Sequence, residues 1–376
     1  MVNKLKKVLI IEIIILLLIF MILFLYNRDI FNIIMEKFDQ DKFIINMDEN
    51  STSEDILSSS NDDIYEAIER GLLEVKHKIN LKGYTGSDSA DNVFEIIEEV
   101  VKNNPEIMYY EGGKYSNGIL IPSYIKPKEE IIAQQDIVRK IKSDIIDKII
   151  KPRMSDYEKE KAIHDFIINN TIYDVRYFDK DKQTPPESHT VYGVLVEGVA
   201  VCEGYAKTMK YLLDEAGVES MIISGIAKDE NHAWNLVKLD NDYYHIDSTW
   251  DDPVMEDGSN IIKYDYFNIN DEEIGVTHKW DREKYPISNG IEYNYYYYND
   301  LVVKDKEEFY EKLKYAILNK VNTFEVKVLG YKESDYDISE FVKSIVQNNN
   351  LKVKSISFSY STNPNLGIIR ISFNYE

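Results

Sequence analysis

An α+β fold is what the pattern of this chain predicts, and three observations predict it. A helical period follows the single cysteine, Cys202, in GVAVCEGYAKTMKYLL. Three strand-like runs come after it, SMIISGIA, HAWNLVKL and YYHIDSTW. Two stretches on either side of this core repeat one order of helices and strands. The 376 residues suffice for two or three domains. The pattern divides them into 1–27, a cytoplasmic tip and transmembrane helix; 28–62, an acidic flexible linker; 63–127, an N-terminal α/β module; 128–290, the core; and 300–376, a C-terminal α/β module that reads as a duplicate of 63–127.

Taken in order, Val8 to Tyr26 is an almost unbroken apolar run whose length matches a bilayer's hydrocarbon core. Lys4, Lys6 and Lys7 precede it and only Arg28 closely follows, so the positive-inside tendency puts the N-terminus in the cytoplasm and the rest of the chain outside. No small-residue cleavage triplet follows the run, which favours an uncleaved, single-pass anchor. Asp39 to Asp63 then turns polar and acidic, without period, as a tether does.

The first module reads as a helix from Ile64, a strand VKHKINL, a Gly83-Tyr84 turn, a helix VFEIIEEVVKNN and closing strands IMYYE and GILIPSY. The second matches it with FYEKLKYAIL, FEVKVLGY, ISEFVKSIVQNNN, SISFSY and GIIRISFNY, and shares the Gly-Tyr turn at Gly330-Tyr331. Neither carries a catalytic constellation, so both read as packing or recognition modules. Between them a long helix covers Lys128 to Ile150, stopped by Pro152. Ser155 with Glu158 forms a capping-box pattern for the next helix. His164 on that helix reads as a surface or partly buried residue, since no second ligand stands at metal spacing. A short helix TVYGVLVEG leads into the cysteine segment.

Tyr205, Met209, Leu212 and Leu213 recur at helical steps, so Cys202 stands at a helix start, where unpaired N–H groups and the dipole favour a thiolate. A lone cysteine more often packs as a small hydrophobe, and other groups must decide. The later strands supply them. Asp240-Asn241 is a two-residue turn signal; it pairs Leu239 with Asp242, stands His232 opposite Thr249 and makes Asp247 the same-face diagonal neighbour of His232. One imidazole nitrogen is then left for a third partner, as a thiol nucleophile needs. His245 shares this face as a rival, but it lies on the strand of Asp247 and points beside it.

VCEGYAKTMKYLLDEAGVES, NHAWNLVKL and YYHIDSTWDDP resemble, in order and spacing, the core of the transglutaminase-like superfamily, and the match runs from about Ser155 to Pro286. The resemblance implies a papain-like fold, with the cysteine helix packed on an antiparallel sheet. It implies Cys202 as nucleophile, His232 as general base and acid, and Asp247 as the residue that orients it. The calcium sites of animal tissue transglutaminases are not recognisable, so no metal and no cofactor are expected. Asp251 and Asp252 read as a turn, Trp234 and Trp250 as packing beside the hairpin, and Tyr293 to Tyr298 as a strand or amphipathic edge. His278 and Trp280 fall in a block the family shares, without an assigned chemistry.

The expected function is therefore acyl transfer through a Cys202 thioester on protein or peptide amides, resolved by water or by an amine, at the outer face of a membrane. The substrate could be associated with a cell wall. The Cys202 backbone N–H would hold the oxyanion, with Tyr192 and His189 as weak candidates for a second donor. The alternative is a catalytically inactive surface protein that binds peptides or wall polymers with the same fold. A net charge of -22 speaks against nucleic acid as a partner. One cysteine excludes an internal disulfide and any cysteine-cluster metal site.

Overall fold

In the computed structural model, residues 64–84, 87, 89–179, 181–253, 261–349 and 355–376 are described. The apolar run Val8–Tyr26 and the acidic stretch 28–62 lie outside them. Among the described residues no helix is long and apolar enough to cross a membrane. The chain forms two compact units, one holding the described residues up to Ile222, the other Ile223–Pro253 and Ile261–Glu376.

The first unit opens with α1 (Ile64–Leu73), β1 (Ile79–Asn80), α2 (Ala90–Asn103), β2 (Tyr110–Ser116) and β3 (Ile119–Tyr124). The strands pair antiparallel in the order β1-β3-β2. Ile68, Leu72, Leu81, Val93, Ile97, Val100 and Leu120 form the core of this module. The strand expected over VKHKINL is short because the chain is still unwinding from α1: the N–H groups of Glu74, Val75 and Lys76 return to carbonyls of Arg70, Leu72 and Gly71.

Next come α3 (Lys128–Ile149) and α4 (Asp156–Asn170), then β4 (Ile172–Tyr173), β5 (Val199–Ala200) and α5 (Cys202–Ala216). The capping box at α4 forms as the sequence predicts, with Ser155 and Glu158 each bonding the other's backbone. Lys142 on α3 pairs with Glu215 of α5 at 2.8 Å and sits over the Tyr211 ring. His164 departs from the expectation of a surface or partly buried residue. It is wholly buried, because it lies between Ile163 and Phe166 on the face α4 turns inward, and its Nδ1 meets Asp165 Oδ1 at 3.2 Å.

The second unit is built on a five-stranded sheet in the order β10-β6-β7-β8-β9. Its members are β6 (Ser220–Ala227, which begins at the division), β7 (Glu230–Leu239), β8 (Asp242–Ile246), β9 (Phe267–Ile269) and β10 (His278–Lys279), with a short helix α6 (Asp271–Ile274) between the last two. The cluster Tyr295–Tyr298 is a short helix, α7, not the strand or edge expected. Asn294 caps it by accepting the Tyr296 N–H, and the Tyr296 ring is buried while Tyr295 stacks on Tyr264 at 3.9 Å.

The C-terminal module follows: β11 (Val302–Val303), α8 (Lys306–Leu318), β12 (Thr323–Val328), α9 (Ile338–Asn348), β13 (Ile356–Asn363) and β14 (Ile368–Tyr375), with strand order β11-β12-β14-β13. Leaving aside the parallel edge strand β11, its helix–strand–helix–hairpin order and its strand order are those of the first module. Arg370 on β14 reaches Glu325 of β12 at 2.8 Å, and joins the module to α7 and to the segment before β9 through the Tyr296 hydroxyl at 2.6 Å and the carboxylate of Asp265.

Candidate active site

Cys202 is the first residue of α5. The chain arrives through β5, paired parallel with β4, after a left-handed turn at Gly198 (φ 65°). Val201 is extended, and its N–H is held by Ser188 O at 2.9 Å. That bond ends the extended segment and lets the helix begin at the next residue. The first-turn N–H groups have no partners within the helix and carry the positive end of its dipole. The helix also runs close against the 188–190 backbone: a Cβ on Gly204 would stand 2.6 Å from Ser188 O. The apolar positions read from the sequence, Tyr205, Met209, Leu212 and Leu213, are all buried, and so is the free Cys202 thiol at 7% exposure.

Glu203 beside it binds His189 Nδ1 at 2.9 Å and Lys207 Nζ at 2.6 Å. Burial raises the Glu203 carboxyl, but Lys207 and His189 outweigh it and hold the group down at about 2. One nitrogen of His189 is therefore committed to Glu203. Burial pushes the Tyr192 hydroxyl up.

In the second unit the hairpin has the register the turn signal gave. Leu239 pairs with Asp242, Val237 with Tyr244 and Asn235 with Ile246, and Asp240 takes the left-handed conformation (φ 52°). His232 on β7 and Asp247 come together, Nε2 to Oδ2 at 2.7 Å. The pairing of His232 with Thr249 does not form, because β8 ends at Ile246. The chain turns there instead, and the N–H groups of Thr249 and Trp250 fold back onto Asp247 Oδ1 at 3.0 and 3.2 Å. A fourth donor was not foreseen: His278 Nε2 lies 3.1 Å from the same Oδ2. Burial raises the Asp247 carboxyl, but the attraction of His232 and hydrogen bonds from both imidazoles outweigh it, so it is held well below the usual carboxylate range. It is an ionised, almost fully enclosed acceptor at 1% exposure. His232 must therefore carry its proton on Nε2, which directs the Nδ1 lone pair elsewhere.

His245 is not part of this group. Its Nδ1 accepts from Trp234 Nε1 at 3.0 Å, and its Nε2 meets Asp271 Oδ1 at 2.8 Å. Burial lowers its pKa, and Asp271 opposes that. Trp280 packs edge-on against His245 with ring centroids 4.9 Å apart. Trp234 stacks near the His232 ring at 6.1 Å, and Trp250 packs on His278 at 4.5 Å. Asp251 does serve a turn, its N–H returning to Asp247 O and its Oδ1 accepting the Tyr266 N–H.

Among the described residues one set of three side chains could offer a metal one ligand atom each, His232, Asp247 and His278, with those atoms within 4.8 Å of one another. Hydrogen bonds between imidazole and carboxylate already account for that spacing. Cys202 lies in the other compact unit.

Residues 143–248 match the model of the transglutaminase-like superfamily core. The kyphoscoliosis peptidases of Mus musculus and Homo sapiens are each 26% identical over 136 residues, which is 33% of this chain and 20% of theirs. The chain thus spans a fifth of the length of those relatives. A solved structure of a TGase is 17% identical, with a TM-score of 0.28, over 49% of this chain and 42% of that one. Cys202, His232 and Asp247 all fall inside the matched stretch. Residues 143–248 are the part of this chain that is similar to the transglutaminase-like superfamily core.

Proposed function

We propose that the chain is a cysteine enzyme that transfers acyl groups from protein or peptide amides, with Cys202 as nucleophile, His232 as base and acid, and Asp247 as the group that orients His232. The observation that carries this reading is the 2.7 Å bond between His232 Nε2 and a buried, ionised Asp247, which keeps Nδ1 as the proton acceptor. A thiol at the first residue of a helix is the complementary half.

In the cycle, His232 Nδ1 takes the thiol proton and Sγ attacks the amide carbon. The tetrahedral oxyanion is held in part by the Cys202 N–H. His232 returns the proton to the amide nitrogen, the C–N bond breaks, and an amine leaves a thioester behind. Water attacks the thioester with His232 as base and gives a carboxylic acid, or an amine attacks and gives a new amide; either way the thiol is regenerated. The first course makes a peptidase, as the name of the kyphoscoliosis peptidases would suggest, and the second a crosslinker. The apolar run Val8–Tyr26 with its preceding lysines supports a single-pass anchor with the rest of the chain outside the cytoplasm; protease accessibility on whole cells tests it.

The test of the chemistry is the pH dependence of Cys202 alkylation. A thiolate held by an imidazolium reacts well below the pH at which an ordinary thiol does, around 8.5, and His232→Ala abolishes that low-pH reactivity. A thiol that reacts like a free one in both proteins overturns the reading.

A further inference from the structure

The acyl-transfer scheme uses one imidazole on Asp247, and the structure has two. Oδ2 receives His232 Nε2 at 2.7 Å and His278 Nε2 at 3.1 Å, while Oδ1 is occupied by two backbone N–H groups. His278 comes from β10, which enters the sheet by pairing with β6, His278 opposite Ala227. It is 1% exposed. Its other nitrogen, Nδ1, lies 2.8 Å from Thr277 Oγ1. A carboxylate can only accept, so His278 presents Nε2–H to Asp247, and the Thr277 hydroxyl satisfies Nδ1. Every polar atom of the ring then has a partner, and the ring cannot flip without losing both.

We propose that His278 is a positioning residue for the general base: by donating to the same oxygen as His232, it fixes the Asp247 carboxylate in place and takes up part of its charge. This rests on the acyl-transfer reading for its purpose, though not for its geometry. With two donors on each oxygen, rotation of the carboxylate is blocked. The shared oxygen also pulls less strongly on the His232 proton than an unshared one would, because each donated hydrogen bond draws off negative charge. His278 thereby moderates the basicity of His232. A base whose pKa is driven far above the working pH gives up its proton poorly to a leaving amine.

The surrounding titratable groups are few. The Tyr266 ring lies 5.6 Å from that of His278, and burial pushes the Tyr266 hydroxyl up to about 12. His245 with Asp271 and Arg282 stands behind Trp234. Lys228 lies over the Trp250 ring at 4.7 Å, and Asp251 holds the Tyr266 N–H. None of them donates to Asp247 in place of His278.

The experiment is an NMR titration of the histidine rings in the full chain carrying Cys202→Ala, so that the readout needs no catalysis. The His232 signals are assigned by their loss in His232→Phe. Adding His278→Phe is expected to raise the His232 pKa by about one unit, the size of an ordinary neighbour effect. His278→Gln, which keeps an N–H donor at similar reach, should return it most of the way. An unmoved His232 in His278→Phe, or an equal shift in both variants, overturns the proposal. Should His278→Phe fail to fold, the 15N shifts of His278 without that substitution decide: protonated Nε2 with bare Nδ1 supports the proposal, and the opposite tautomer ends it. Zinc binding at one equivalent through both rings would make the three side chains a ligand set and would also overturn it. The acyl-transfer reading is scored separately by alkylation of Cys202 in the unmodified protein. An unreactive thiol with a shifted His232 would sink that reading and leave this inference standing.

Discussion

Asp247→Asn changes one atom and asks what the carboxylate does. Asp247 accepts four hydrogen bonds, from His232 at 2.7 Å, His278 at 3.1 Å, Thr249 N–H at 3.0 Å and Trp250 N–H at 3.2 Å. An amide has one acceptor oxygen and an NH2 group, so two of those donors lose their partner. Each bond to a charged acceptor is worth about 1.5–3 kcal/mol, and two lost bonds come to roughly 3–6 kcal/mol gross. Relief from burying a charge offsets part of this, leaving a net destabilisation of about 2–4 kcal/mol. If the oxygen keeps the backbone N–H groups, the NH2 faces both imidazoles and forces their protons onto Nδ1. His232 then cannot accept from a thiol; the same tautomer error costs a serine-protease triad about 10⁴-fold in kcat. The folded-state pKa of Asp247 lies below its unfolded value, so its contribution is fully present above the ordinary carboxyl pKa, about 3.9, and is lost as pH falls below that toward the depressed value. The stability gap between the parent protein and the Asp247→Asn variant should therefore narrow as pH drops below about 4. Urea unfolding across pH, with Cys202 alkylation rates beside it, reads all three effects. A variant within about 0.5 kcal/mol of the parent, with an unchanged alkylation profile, would refute the reasoning.

Other substitutions separate packing from chemistry. His245→Leu strands the buried Trp234 N–H, while Asp271 keeps Arg282 beside it; it should cost about 1–3 kcal/mol in unfolding experiments, yet leave the pH midpoint of Cys202 alkylation where it was. Gly204→Ala places a Cβ 2.6 Å from Ser188 O, so it should destabilise by about 1–3 kcal/mol and change the Cys202 alkylation rate, since the start of α5 must move away from the 188–190 backbone. Arg370→Ala leaves Asp265 and Glu325 facing each other without their cation; a loss of about 3–5 kcal/mol is expected, measured by thermal or urea unfolding, with no change in thiol reactivity.

What could be read in the sequence was whatever a short local rule determines. The capping box at Ser155 depends on two residues three apart, and the β7–β8 register depends on a two-residue turn, so both were legible. Because the side-chain period of a strand is two, extending that register predicts His232 and Asp247 on one face, although the paired residues stop at Asn235 and Ile246. The rule failed where the strand did: Thr249 was expected opposite His232, but pairing stops at Ile246 and the backbone turns to bond Asp247 instead. His164 was misjudged because helical periodicity ranks faces by apolar content, and a histidine satisfied by its neighbour Asp165 can sit on the buried one. The tyrosine run was misjudged because β-propensity reports a half-buried pleated surface, and here an Asn cap decides for a helix.

His278 was out of reach for a different reason. It reaches Asp247 through a two-residue strand paired to β6, some fifty positions earlier, and no period can be detected in two residues. Local patterns place a base and its carboxylate, but they carry no information on a second donor from a distant segment. The sequence did hold one signal, a polar His next to Thr277 in a block that the resembled family shares, though without an assigned chemistry. Its meaning required counting the acceptor capacity of a single oxygen. That count is also what gives the site its rigidity: an aspartate with two donors on each oxygen has one orientation, and the imidazole it holds has one tautomer.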